Sequence, residues 1–275
     1  MRPIVLLGLI SALSFAATPL AIVRPVVSQM EDGVADPSGF EYTPGQTFFF
    51  TCRVANFAKT EDSKIRIAYS VQPFDPRGAP LAEIYKNQVA DEVSPQDKNW
   101  MPKIETEIAI PPLVASGSYK VVVKVEDLVA NSSAQLEVPF QVRGHALEPS
   151  DKLVVRNFLF FADENATQPL EKPVYHPGAS VWAKFDITGF TYGAGNKVDV
   201  SYVTSLVASS GKVLWTQPEP AKEQSESFYP RRYVAADFGI NLANNIKAGE
   251  YAIAISVKDA VGGQSYESKQ TFAVQ

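Results

Sequence analysis

The chain has 275 residues, 45% of them hydrophobic and 20% charged, and a formal net charge of -5. That length has room for two domains of ordinary size, each with its own core, while the mildly acidic balance repels phosphate backbones and excludes nucleic acid as an expected partner. Cys52 is the only cysteine, so intrachain disulfides are excluded and stability has to come from packing.

The first seventeen residues read as a cleaved export signal: Arg2, the apolar run Ile4 to Ile10, then small residues around Ser14-Phe15-Ala16-Ala17, with cleavage after Ala16 or Ala17. The run breaks at Ser11 and Ser14, well short of the ~20 apolar residues that a membrane span needs, and no other segment can span a bilayer. The mature chain is therefore expected to be exported, in the periplasm, on the cell surface or secreted. Loss of Arg2 takes its charge from -5 to -6.

Strand patterns follow, and each occurs twice. Leu20 to Val27 corresponds to Leu153 to Phe161, and the turn Tyr42-Thr43-Pro44-Gly45 to Tyr175-His176-Pro177-Gly178. Each Pro-Gly turn feeds a strand, Gln46 to Phe57 and Ala179 to Phe190. In the first of these Cys52 shares a face with Phe48, Phe50 and Val54 and reads as a small buried apolar residue. Ile65 to Val71 and Val198 to Leu206 come next, with hairpin turns at Gly78 and Gly211 and returning strands Leu81 to Tyr85 and Val213 to Gln217. Two long polar segments, Lys86 to Met101 and Pro218 to Arg232, separate these from the strands Ile104 to Ile110 and Val234 to Leu242.

Ala115 to Asp127 and Lys247 to Asp259 are the clearest pair. Tyr119, Val121, Val123 and Val125 fall on one face in the first, Tyr251, Ile253, Ile255 and Val257 in the second, the period of two of a half-buried strand. Gln135 to Val142 and Ser265 to Val274 complete the sets. Landmarks held 132 or 133 residues apart through the mature chain establish an internal repeat. About seven short strands per copy, with turn signals and no helical periodicity, predict an all-β chain of two tandem antiparallel β-sandwiches. The expected boundaries are a signal at 1–17, sandwiches at 18–142 and 151–275, and a linker at 143–150 with limited hinge motion.

Tyr-x-Pro-Gly before a strand, a mid-domain Gly hairpin and Gly-x-Tyr opening the later strand resemble immunoglobulin-like domains. The stretch Lys172-Pro173-Val174-Tyr175-His176-Pro177-Gly178 with Val181-Trp182 is similar to the macroglobulin-like sandwich modules of exported bacterial proteins. The resemblance implies that Tyr119 and Tyr251 form tyrosine corners, their hydroxyls capping nearby backbone. Val121 and Ile253 stand where an antibody domain has its cysteine, and the macroglobulin thioester motif Cys-Gly-Glu-Gln is absent from the sequence. The resemblance implies a sandwich and leaves function open, since this architecture serves adhesion, assembly, carbohydrate binding and spacing alike.

Catalytic signatures are missing. His145, in the linker, and His176, in a Pro-Gly turn, are the only histidines, and they read as solvent-exposed turn residues with no zinc or triad spacing. Asp91-Glu92 and Asp163-Glu164 sit in polar loop segments, and no nucleophile elbow, zinc-protease or nucleotide motif occurs. No enzyme activity, metal or cofactor is expected. Asp127 and Asp259 end their strands before turns, where capping of backbone amides is the expectation and calcium binding the alternative.

Ser225 to Tyr233 is the most distinctive unrepeated stretch. Phe228, Tyr229 and Tyr233 around Arg231 and Arg232 combine residue types enriched at binding hot spots, and Trp100 lies in the corresponding segment of the first copy. These six residues are the candidate binding set, the alternative being that the aromatics pack a sandwich edge while the arginines pair with acidic groups. The function expected is a non-catalytic interaction or structural module with a protein or glycan partner in the cell envelope. A periplasmic carbohydrate-binding or protease-inhibitory protein is the alternative, and a hydrolase a third possibility.

Overall fold

The structure is a computed structural model that describes residues 18–275; the export signal expected at 1–17 lies outside the described residues. The first half contains β1 (Ala21–Ser28), β2 (Glu41–Tyr42), β3 (Thr47–Ala55), β4 (Lys64–Phe74), β5 (Tyr85–Glu92), β6 (Lys103–Ala109), β7 (Gly117–Asp127) and β8 (Ser132–Val142). The second contains β9 (Val154–Phe161), β10 (Val174–Tyr175), β11 (Ser180–Thr188), β12 (Val198–Ala208), β13 (Val213–Thr216), β14 (Ala221–Ser225), β15 (Val234–Asn241), β16 (Gly249–Asp259) and β17 (Gln264–Val274). The only other regular element among the described residues is a short 3-10 turn, Ala194–Asn196, so the chain is all-β. None of its described residues form a helix long and apolar enough to cross a membrane.

Four sheets form. In the first half the orders are β1-β3-β6 and β2-β8-β7-β4-β5; in the second they are β9-β11-β15 and β10-β17-β16-β12-β13, with β14 also paired to β12. The strand order thus repeats between halves. The two-residue strands β2 and β10 pair in parallel with β8 and β17; the other pairs are antiparallel.

Alternation builds the cores. In β3, Phe48, Phe50, Cys52 and Val54 are buried while their neighbours are half-buried, and β7 presents Tyr119, Val121, Val123 and Val125 to the same cluster. The second half repeats this with Val181, Ala183, Phe185 and Ile187 from β11 and Ile253, Ile255 and Val257 from β16. Side chains that alternate sides let one strand close a core and face water at once.

The punctuation between strands has physical causes. In both Pro-Gly turns the residue after the glycine donates its amide back across the turn, Gln46 to Thr43 at 3.1 Å and Ala179 to His176 at 3.0 Å. Gly45 and Gly178 sit at φ 82° and 80°, as a type II turn requires of its third residue. Tyr119 and Tyr251 donate to the carbonyls of Ala115 and Lys247, each at 2.7 Å, the tyrosine corner expected in both halves. Asp127 accepts from the amides of Ala58, Val129 and Ala130, and Asp259 from those of Thr191, Val261 and Gly262. Both aspartates are caps of buried backbone.

Two elements differ from the sequence expectation. The returning strand of the first half is not Leu81 to Tyr85: it begins at Tyr85 and runs to Glu92 through the segment read as polar loop. Likewise β14 lies inside Pro218 to Arg232. Both are edge strands that bury no side chain, β5 exposed along most of its length and β14 alternating half-buried with exposed residues, so no apolar alternation marks them; pairing on one side alone defines them.

Burial pushes the Cys52 thiol up to about 12, which removes the reactive thiolate at neutral pH. Cys52 is expected to resist an aromatic disulfide reagent at pH 8 in native buffer and to react once denaturant unfolds the first half. Fast stoichiometric labelling of the native protein would contradict this placement.

Candidate functional site

Residues 226–233 join β14 at a sheet edge to β15 in the opposing sheet, and they cross to the first half on the way. Their course is fixed by side chains that claim the segment's own carbonyls. Asn196 Nδ2 donates to Ser227 O at 3.1 Å and Phe228 O at 2.5 Å, Ser227 Oγ to Tyr229 O at 2.7 Å, Tyr192 to Arg231 O at 2.5 Å and Thr188 to Arg232 O at 2.9 Å. Backbone held at so many points presents its side chains in one arrangement.

Tyr229 and Arg232 converge on Asp75, which follows β4 in the first half. The Tyr229 hydroxyl and Arg232 Nε each donate to Asp75 Oδ2 at 3.0 Å, and Arg232 Nη2 donates to the same oxygen. Oδ1 accepts from the amides of Arg77 and Ala79 at 2.9 and 2.8 Å. The side chains of Asp75 and Arg232 are 2% and 12% exposed, and the buried Tyr229 ring belongs to the first half's core. Charge-assisted bonds of this kind are stronger than neutral ones, and the Arg232 fork fixes direction as well as distance. Burial is the largest single influence on Arg232 and works against its charge, but the bonds and charges of Asp75 and Tyr229 together outweigh it and hold the guanidinium above its ordinary range.

A second contact lies beside the first. His145, just after β8, is tied by backbone to the first half: its amide donates to Val114 O at 3.2 Å, and its carbonyl accepts from Ser116 at 3.1 Å. Its ring reaches the second half, with Nε2 2.6 Å from Asp186 Oδ2 and the imidazole stacked on Tyr233 at 4.4 Å between centroids. Asn157 Nδ2 bonds the same Asp186 oxygen at 2.7 Å and the linker carbonyl of Ala146 at 2.8 Å. His145 is therefore a clasp between halves and not the free turn residue that the sequence suggests, because its partners lie 41 and 88 residues away. His176 spends Nδ1 on the carbonyl of Gln275, at 2.9 Å.

The candidate set divides accordingly. Tyr229, Arg232 and Tyr233 meet the first half and its linker, whereas Arg231 turns back to Glu223 and Ser225 within the second. Phe228 is 49% exposed and lines a groove of about 710 Å³ with Ala79, Pro80, Glu226 and Pro230, drawn from both halves. Trp100 is not brought to this cluster; it packs edge-on against Phe57, 6.1 Å between centroids. Asp75 was missed by sequence reasoning. Its one signal is the Asp-Pro-Arg-Gly turn that it opens, which discloses a turn and not the acceptor for groups more than 150 residues away. Among the described residues, no group of three or more His, Cys, Asp or Glu is arranged to hold a metal ion.

No family model matches the sequence, and no curated protein does. Among solved structures, the chain is similar to the C-terminal domain of the Streptococcus pyogenes antigen I/II-family protein AspA, at 11% identity and a TM-score of 0.30, over 92% of this chain and 99% of that one. A structure described as BspA_C_WT aligns at 11% identity and a TM-score of 0.29, over 91% of this chain and 99% of that one. A family 123 glycoside hydrolase from Clostridium perfringens aligns at 15% identity and a TM-score of 0.29, over 45% of this chain and 27% of that one. At such scores the likenesses carry no argument about function.

Asp75→Ala strands Arg232 in a buried site and is expected to cost about 3–5 kcal/mol of unfolding free energy, whereas Tyr229→Phe, which keeps the ring, is expected to cost about 1 kcal/mol; chemical denaturation measures both. Equal, small losses would contradict the pairing. Burial, followed by the charge of Asp75, pushes the Tyr229 hydroxyl from 10.0 to about 12. Because the folded value lies above the unfolded one, the stability this group contributes is complete below pH 10 and is lost as pH rises through about 12. Between pH 10 and 12, native-minus-unfolded tyrosinate absorbance is therefore expected to be lower in wild type than in Tyr229→Phe; equal values in the two proteins would contradict that burial.

Proposed function

We propose that the chain is an exported, non-catalytic interaction or structural module, in which two tandem immunoglobulin-like sandwiches, 18–142 and 151–275, are clasped into one stiff body. The observation that carries this is the insertion of Tyr229 and Arg232 onto Asp75. A segment that begins as a sheet edge in one half ends as part of the other half's core, which suits a protein that must hold two surfaces at a fixed relation. Export is supported by the charged, apolar and small-residue order of residues 1–17. A non-catalytic role is supported by the employment of both histidines in structural bonds.

Within this reading the groove at Phe228 is the partner-facing part of the candidate set. Its exposed ring, two prolines and one carboxylate come from both halves, so the groove keeps its shape only while the clasp holds. Those features favour a protein segment that brings an apolar and a basic side chain, since a cation over Phe228 beside Glu226 is attracted by ring and carboxylate together. Trp100, on the first half alone, is an independent contact.

A photo-crosslinking amino acid at Phe228 in intact cells is expected to give a discrete adduct with one envelope protein, while the same residue at Ser210, on a hairpin tip, does not. Adducts of the same kind from both positions, or from neither, would contradict the assignment. Intact mass of the exported chain is expected to show a start at Ala17 or Thr18.

A further inference from the structure

The outward face of β4, β7 and β8 carries a feature that the candidate set does not include. Cross-strand partners share a face, and the register sets three rows on this one: Phe74 beside Lys120, Gln72 beside Val122 and Glu137, and Ser70 beside Lys124. Val122 forms the middle of a depression of about 340 Å³, with Phe74 and Ile84 along one wall and Lys120, Lys124 and Glu137 around it. Ile84 is 43% exposed. Lys86 on β5 stands opposite Ser70 and extends the row of Lys124. Glu137 is already bonded to Lys120 at 2.9 Å, and Glu126 lies one row further along β7, opposite Ala68. The three rows therefore hold three lysines to one glutamate on a chain whose net charge is -5.

The internal repeat supplies an independent comparison. The sheet framework is the same in the second half, yet Ala252, Ala254 and Ser256 stand at the places of Lys120, Val122 and Lys124, and Lys269 at that of Glu137. The strand connection also differs. Residues 75–84 join β4 to β5 and bring Ile84 over the face, whereas only 209–212 join β12 to β13. Core positions are kept between copies while this face changes, so the depression is not a by-product of the fold.

We propose that this face of the first half is a docking site for an extended peptide segment of a partner protein that presents a carboxylate next to an aliphatic side chain. The aliphatic group fills the space between Val122 and Ile84, and the carboxylate meets Lys124 and Lys86. A volume of this size takes one or two side chains. A floor made by Val122 and a wall by Ile84, with Phe74 half-buried, favours an aliphatic group over the flat face of a sugar, for which exposed aromatic rings are the better partners. Apolar contact supplies the affinity and the lysines the selection. The site and the Phe228 groove lie on either side of the 75–84 connection, Gly78 lining the first and Ala79 and Pro80 the second, and Phe228 is not among the residues that line this site.

Fluorescence anisotropy with the full mature chain tests this, using a labelled, acetylated and amidated hexapeptide with a central Leu-Glu pair and its Leu-Gln counterpart. The Leu-Glu peptide is expected to bind saturably and more tightly than Leu-Gln by a factor of about two to five, the upper part of the range that exposed ion pairs deliver, with the difference shrinking as salt is raised. A Lys86→Ala, Lys124→Ala double variant is expected to abolish that preference with an unchanged melting temperature, Val122→Lys to abolish binding of both peptides, and Phe228→Ala to change nothing. Equal binding of the two peptides, no saturable binding, a preference that survives loss of the lysines, or binding to acidic oligosaccharides in place of the peptide would each overturn the proposal. Loss of binding in Phe228→Ala would overturn it too, by moving the contact to the groove.

Discussion

Asp75 is a carboxylate with almost no access to water, and such a group is tolerated only when donors surround it. Two of its donors are amides of its own turn, and the others come from Tyr229 and Arg232 on the far side of the sequence. Without the second half, Asp75 would keep its turn amides and lose its counter-charge. Without Asp75, a guanidinium would sit unpaired against the first half's core. Each side therefore makes the other's burial affordable, and the relation between the halves follows from that mutual need.

A buried ion pair is a weak source of net stability, because desolvation consumes much of the attraction. Its effect here is geometric. The Arg232 fork admits few orientations, the Tyr229 ring is packed in the first half's core, and the carbonyls around them are held by Asn196, Ser227, Tyr192 and Thr188. His145 adds a second point of attachment through Asp186 and Tyr233. Two separated contacts resist rotation about either one, so residues 143–150, expected from their composition to hinge, run beside contacts that oppose hinging. Surfaces formed from both halves, such as the Phe228 groove, take their shape from this joint; the lysine-rich face of β4, β7 and β8 lies wholly in the first half and does not.

Much of the strand plan was legible because it is written in local period-two patterns. Tyr119 and Tyr251, Asp127 and Asp259, and the Pro-Gly turns were visible as repeated punctuation, and each has the local bonding that its residue type implies. The edge strands β5 and β14 were hidden, since strands that bury no side chain need no apolar alternation. The aromatic and arginine residues of 228–233 stood out by composition, but their direction did not: Tyr229 faces inward and Phe228 outward in adjacent positions. Asp75, His145 and Asp186 were illegible as a site, because their partners lie far away in sequence and no periodicity links them. The lysine-rich face was present in the internal repeat all along, as the places where the copies disagree, but strand register is needed to bring Lys86, Lys124 and Val122 together.

Residual dipolar couplings from the mature protein in a weakly aligning medium test most directly whether the halves move as one body. Couplings from both halves of the wild type are expected to fit a single alignment tensor of one magnitude, and those of an Arg232→Ala, His145→Ala variant to require two of different magnitude. Separate tensors already present in the wild type would contradict the account.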